Sequence, residues 1–154
     1  MEIRATHHYP QPPQDAFAML TDPGFLEAVC LASDPLEFTT WVDGLRTGAR
    51  RTMRNHPSIE KFTGSTITVT DEVTWQEGAV DGVRTGATLV SVEGMPVALT
   101  GVVTLAGSET GSTLTYLGDL KVSIPLVGPV LERQAAPILL EALELQAKVA
   151  QGWR

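Results

Sequence analysis

The sequence predicts an α+β fold: a curved seven-stranded antiparallel sheet wrapped around one long C-terminal helix, with two short helices after the first strand. Three observations carry this reading. Thr and other β-branched residues alternate with apolar ones over most of the chain. Helical periodicity is confined to two places, after Pro13 and at the C-terminus. The length, 154 residues, suits one domain spanning 1–154, whose core needs no covalent staple.

Taken in order, Ile3, Ala5, His7 and Tyr9 alternate as a first strand. Pro12-Pro13 opens a helix whose apolar face is Ala16, Phe17 and Leu20, and Thr21-Asp22-Pro23-Gly24 breaks it before Phe25–Leu31 resumes. Leu36–Val42 and Ala49–Asn55 read as a hairpin turned at Asp43-Gly44. Ser65–Trp75 is the clearest strand, placing Ile67, Val69, Asp71, Val73 and Trp75 on one face. Val83–Val92, Val97–Leu105 and Leu114–Ile124 complete the sheet, and Gly86, Gly101 and Gly118 interrupt them as bends or bulges do. The final helix shows a stripe at Leu131, Ala135, Ile138, Ala142, Leu145 and Val149, with Pro129 in its first turn and a bend expected at Pro137. Such a helix must lie across the concave face of the sheet, and a strongly curled sheet then leaves a cavity between them.

Composition excludes several functions. Net charge is −7, from 11 Lys+Arg against 18 Asp+Glu, which argues against nucleic acid or an anionic membrane as partner. Cys30 is the sole cysteine, so neither an intramolecular disulfide nor a two-cysteine zinc site can form. In the apolar run Ala28-Val29-Cys30-Leu31 it reads as a buried, inert thiol. No His-Glu-x-x-His, Gly-x-Ser-x-Gly or phosphate-cradling glycine loop occurs, and neither a metal nor a cofactor is expected. No basic, then apolar, leader is visible and no stretch is long enough to span a bilayer, so a soluble cytoplasmic protein is expected.

Several segments resemble a known superfamily. The opening Tyr9-Pro10-Gln11-Pro12-Pro13-Gln14-Asp15-Ala16-Phe17-Ala18-Met19-Leu20-Thr21-Asp22 resembles the entry of the START and polyketide-cyclase-like (SRPBCC, helix-grip) superfamily. Arg50-Arg51-Thr52-Met53, Lys61-Phe62-Thr63-Gly64 running into Val73-Thr74-Trp75, and Ile124-Pro125-Leu126-Val127-Gly128 before a Glu132-bearing helix are similar to an actinobacterial START-like family of unknown function. The resemblance implies a cavity for a hydrophobic small molecule or lipid between sheet and C-terminal helix. It carries no catalytic set, because the superfamily hosts carriers, cyclases and chaperone cofactors on one fold.

The expected lining comprises Phe17 and Leu20 of the first helix, then Arg51, Met53, Val69, Asp71, Val73 and Trp75 of the central strands. Leu99, Tyr116, and Leu131, Ala135 and Ile138 of the last helix complete it. Asp71 is the polar residue of most interest, since its parity points it inward and hairpin pairing can bring Arg51 alongside. Two readings stay open: a cavity-facing pair that holds a ligand's polar head or handles a proton, and a structural ion pair near the rim. Binding of a hydrophobic molecule is the first function this suggests. A cyclase/aromatase-like enzyme using Asp71, Arg51, His7 or Tyr116 is the alternative, and a groove for a partner protein is a third. Pairing through an edge strand would allow a homodimer. Finally, residues 56–64 exceed what a tight hairpin needs. Ile59 and Phe62 at helical spacing suggest a mobile flap hinged at Gly64, or else a surface loop with two anchors.

Overall fold

The computed structural model describes residues 1–57 and 60–153, and of residues 62 and 63 the backbone only. Among these the order is β1 (Glu2–Tyr9), α1 (Pro13–Leu20), α2 (Pro23–Ala32), β2 (Glu37–Asp43), β3 (Arg46–Arg54) and α3 (Glu60–Thr63). There follow β4 (Thr66–Trp75), β5 (Arg84–Val92), β6 (Val97–Ser108), β7 (Gly111–Val122) and α4 (Gly128–Gln151). The seven strands form one antiparallel sheet in the order β1-β7-β6-β5-β4-β3-β2. β2 to β7 is therefore a meander, and α1 and α2 carry the chain from β1 at one edge to β2 at the other. This is the α+β helix-grip architecture that the sequence predicts.

Local chemistry sets the boundaries. Asp22 does more than break a helix: its carboxylate accepts from the N–H groups of Gly24 (2.7 Å) and Phe25, capping α2 with Pro23 in its first turn. β3 begins at Arg46, earlier than the alternation suggests, because Gly44 at φ +60° closes a tight turn directly after Asp43. β7 stops at Val122 and α4 starts at Gly128, where the Gly128 N–H already bonds to Ile124 O. The Ile59–Phe62 pairing of the expected flap involves Ile59 and the Phe62 side chain, which lie outside the described residues.

The buried core has two parts among the described residues. One joins Tyr9, Phe25, Trp75, Val103, Leu105 and Leu114 to Ala147 and Ala150 near the C-terminal end of α4. The other joins Ile3, Leu99 and Leu120 to Ala136 in its N-terminal half. In the middle of α4, Leu139 packs against the second part, and the residues from Leu140 to Gln146 join neither. Its first turn is fixed by Glu132, whose Oε2 accepts from the Val122 N–H at 3.1 Å. That bond, helped by the chain's amino group nearby, holds the Glu132 carboxyl below the ordinary carboxylate range.

The inward-facing glycines are not bulges. Pairing runs without interruption through Gly86↔Val103 and Gly101↔Gly118. Gly101 and Gly118 face each other on the concave side, where a Cβ on Gly101 would strike Leu117 O and lie 2.6 Å from Gly118 Cα. Side chains crowd on the inside of a curl, so removing them lets β6 and β7 bend sharply together.

Two outcomes follow. Gly101→Ala forces the backbone apart and costs about 1–3 kcal/mol of stability in urea titrations, with the fold retained by circular dichroism. Glu132 has a folded pKa below its unfolded one, so its contribution is present above the ordinary carboxylate pKa and lost as pH falls through the lowered value. Glu132→Gln should therefore flatten the acid limb of the stability–pH curve.

Candidate functional site

Between the two halves of the core lies a cavity of about 180 Å³. Its size compares with cavities of roughly 150 Å³ that hold a benzene ring. Parity along β4 turns Val69, Asp71, Val73 and Trp75 into it, and β3 adds Thr47, Ala49, Arg51 and Met53. Leu20, Phe25, Leu26, Val29 and Cys30 close one side from α1 and α2. The middle of α4 closes the other with Ile138, Leu139, Ala142, Leu143 and Gln146, while Thr88, Val90, Leu99 and Tyr116 come from β5, β6 and β7.

One ion pair stands in this apolar wall. Arg51 Nη2 donates to Asp71 Oδ1 at 3.1 Å, across a diagonal of the β3–β4 ladder, where Arg51 is directly opposite Val69 and Asp71 opposite Ala49. Asp71 keeps 37% of its side chain accessible and Arg51 13%. For Asp71, which lines the cavity deep in the protein, that accessible face is the cavity's own. Burial accordingly pushes its carboxyl pKa up, against the opposing pull of Arg51. Arg51 Nε is enclosed with no hydrogen-bond partner. Cys30 is buried on the same cavity, and burial raises its thiol pKa, which keeps it protonated and poorly nucleophilic.

A second polar group is satisfied internally. Gln146 Nε2 donates to Tyr9 Oη at 2.9 Å and to Tyr116 Oη at 3.1 Å, tying α4 to β1 and β7. Burial pushes the Tyr116 phenol up to about 12 and the Tyr9 phenol further up. Sequence reading missed Gln146. Its only signal is a polar residue one position beyond the apolar stripe.

Ten of the thirteen expected lining residues are on the cavity wall: Leu20, Arg51, Met53, Val69, Asp71, Val73, Trp75, Leu99, Tyr116 and Ile138. Phe17, Leu131 and Ala135 are not, and each has a reason. Phe17 packs edge-on against Trp75 (centroids 5.4 Å apart) under the Arg84 guanidinium, so the indole stands between it and the cavity. Leu131 is buried in the first turn of α4, and Ala135 packs on the N-terminal part of the core, both short of the cavity. His7, proposed with Asp71, Arg51 and Tyr116 as an acid–base group, does not line it either. It faces inward on edge strand β1 opposite Leu114, two strands beyond β6, with Nε2 enclosed and unpartnered. Trp41 packs over Gly48 and donates to Glu72 Oε2 at 3.2 Å, and Trp153 packs against Phe25, so neither closes the cavity. Among the described residues no three His, Cys, Asp or Glu side chains converge, and no helix is long and apolar enough to cross a membrane.

Residues 4–153 match the family model for proteins of unknown function DUF2505. The chain belongs to this family. No curated protein matches the sequence. Solved structures similar to this DUF2505 chain include TTHA0849 from Thermus thermophilus, with TM-score 0.67 and 16% identity over 97% of this chain and 94% of that one. A STAR-related lipid transfer protein from Xanthomonas axonopodis gives 0.62 and 17% over 97% and 85%. The di-domain ARO/CYC StfQ of the steffimycin biosynthetic pathway gives 0.62 and 10% over 97% of this chain and 49% of that one. At such identities the likeness establishes the fold, START-like in agreement with the sequence resemblance, and leaves function to the site.

The Asp71 carboxyl of this DUF2505 chain should titrate above the ordinary value of about 3.9 when followed by carboxyl ¹³C NMR. Its folded pKa exceeds its unfolded one, so it favours the folded state at low pH. That contribution is lost as pH rises through the raised pKa, the reverse of Glu132. Asp71→Asn should remove this decline, and Arg51→Met should move the Asp71 midpoint higher still.

Proposed function

We propose that this protein binds a hydrophobic small molecule, of about ring size or a short chain in the closed form seen here, and sequesters or delivers it. The observation that carries this is the cavity itself: about 180 Å³ walled by apolar side chains from every layer of the fold, with one ion pair in it. Apolar burial supplies the affinity, and the few polar groups supply orientation. The likeness in fold to a STAR-related lipid transfer protein supports the container reading.

A cyclase-type reaction is the second reading, supported by kinship with StfQ and by Arg51, Asp71 and Tyr116 sharing the cavity. It is the weaker one. Proton relay needs two groups that exchange protons within hydrogen-bond reach. Arg51 does not release a proton, and Tyr116 is bonded to Gln146, with its phenol pKa raised to about 12. A docking module for a partner protein would have a filled interior, which this chain lacks.

Native mass spectrometry of freshly purified protein, followed by extraction, should find an apolar molecule retained in stoichiometric amount. Ala142→Trp puts a ring-sized side chain on the cavity wall and should abolish that retention while the chain still unfolds cooperatively. Reproducible absence of ligand in the unaltered protein, with no uptake of added hydrophobic probes, would sink the container reading.

A further inference from the structure

The cavity holds an imbalance that its own residues do not correct. A guanidinium offers five N–H donors in a fixed fork. Among the described residues, Arg51 is bonded through Nη2 to Asp71 Oδ1, and its Nε is enclosed without a partner. The neighbouring wall is mainly apolar, with Val69 directly opposite Arg51 and Val90 and Leu99 in line with Asp71 across β5 and β6, while Thr47 and Thr88 line the cavity further along. An enclosed donor left unsatisfied is costly, and water in so apolar a space finds few further partners. What the site lacks is an acceptor, preferably charged and preferably planar.

The two charges of the pair are unequal in permanence. Arg51 keeps its proton at any physiological pH. Asp71 is already disposed to take one up, because burial works against its anion. The groups that face the pair from other elements do not alter this. Cys30 of α2 and Tyr116 of β7 are held neutral by burial, and Glu27 acts on Cys30 from an exposed position. The residues that α4, β5 and β6 present to the cavity, Gln146 among them, carry no charge. The least costly change of state is therefore protonation of Asp71, which leaves one permanent positive charge facing an apolar cavity. With Asp71 protonated, a cationic ligand would be repelled by Arg51, and a neutral carbonyl would accept from its donors without offsetting its charge.

We propose that the molecule bound here is a hydrophobic carboxylic acid, its carboxylate seated on Arg51 and its apolar body filling the cavity toward α4. This rests on the container reading above and deepens it. With Nε enclosed, the carboxylate accepts from the terminal Nη groups of the guanidinium, the part of Arg51 that reaches the cavity, in a charge-assisted contact. Asp71 takes up a proton from solvent as the second anion arrives, so binding is linked to proton uptake and weakens as pH rises.

The test uses the intact protein and two probes of one shape, 2-naphthoic acid and uncharged 2-naphthamide, titrated calorimetrically from about pH 5.5 to 8, where the acid is ionised. The acid should bind about tenfold or more tightly than the amide at the low end. That ratio should shrink with rising pH, and buffers of different ionisation enthalpy should report proton uptake. R51M, checked for folding by circular dichroism, should bring acid and amide to equal affinity. The wild-type comparison stands without it. An amide bound as tightly as the acid overturns the assignment and leaves the container reading intact. So does tighter binding of the 2-naphthylmethylammonium cation. Binding of none of the three overturns the assignment, and together with no ligand retained on purification it overturns the container reading as well.

Discussion

The constraint on which this structure depends is geometric: one helix laid on a seven-stranded sheet does not fill the space against it. An α-helix with its side chains is about 10–12 Å across. The paired glycines at 101 and 118 let β6 and β7 bend beyond what side chains on the concave face would permit. α4 reaches the sheet near its two ends, through Ala136 on one part of the core and through Ala147 and Ala150 on the other. Between Leu139, which also packs on the core, and Gln146, which bonds to the sheet, the helix lines the cavity. The cavity is thus a consequence of curvature, and the core on either side of it keeps it from collapsing.

A void of this kind is stable only if its polar contents are managed. The phenols of Tyr9 and Tyr116 share one amide, Gln146, and so end no bond in empty space. Arg51 and Asp71 share a single hydrogen bond, and the guanidinium is left with surplus donors. The contrast between these two polar groups gives the cavity a direction. Near α4 and β1 its polarity is closed on itself, and at the β3–β4 hairpin it is not.

The strand pattern makes much of this legible. Period-two parity is rigid, so with Val69, Val73 and Trp75 inward, Asp71 has to follow, and antiparallel pairing brings Arg51 near it. The helix is less readable. The stripe Leu131, Ala135, Ile138, Ala142, Leu145 and Val149 reaches the cavity through Ile138 and Ala142 only, and Leu139, Leu143 and Gln146, each one position on, complete that wall. Helical phase over so many apolar positions is decided by what the sheet presents, which local spacing does not contain. Phe17 misses the cavity for a related reason: parity and periodicity say which way a residue points but not which ring lies in front of another. His7 has the right parity on a strand too far from the cavity, since sequence adjacency gives no hint that β1 pairs with β7.

Likeness in fold at 10–17% identity to a lipid transfer protein and an ARO/CYC fixes the shape and leaves the chemistry to the site. What distinguishes one member from another is the wall, and here the wall raises an apparent conflict. A chain of net charge −7 is an unpromising receptor for an anion. The conflict dissolves on distance. Exposed carboxylates are screened beyond about 8 Å at physiological ionic strength, so they slow the approach of an acid more than they oppose its residence. Arg51 acts within an enclosed, poorly polarisable space, where the same charge counts for several times more. On the proposed reading, the acidic exterior bears on encounter and Arg51, inside the cavity, bears on retention.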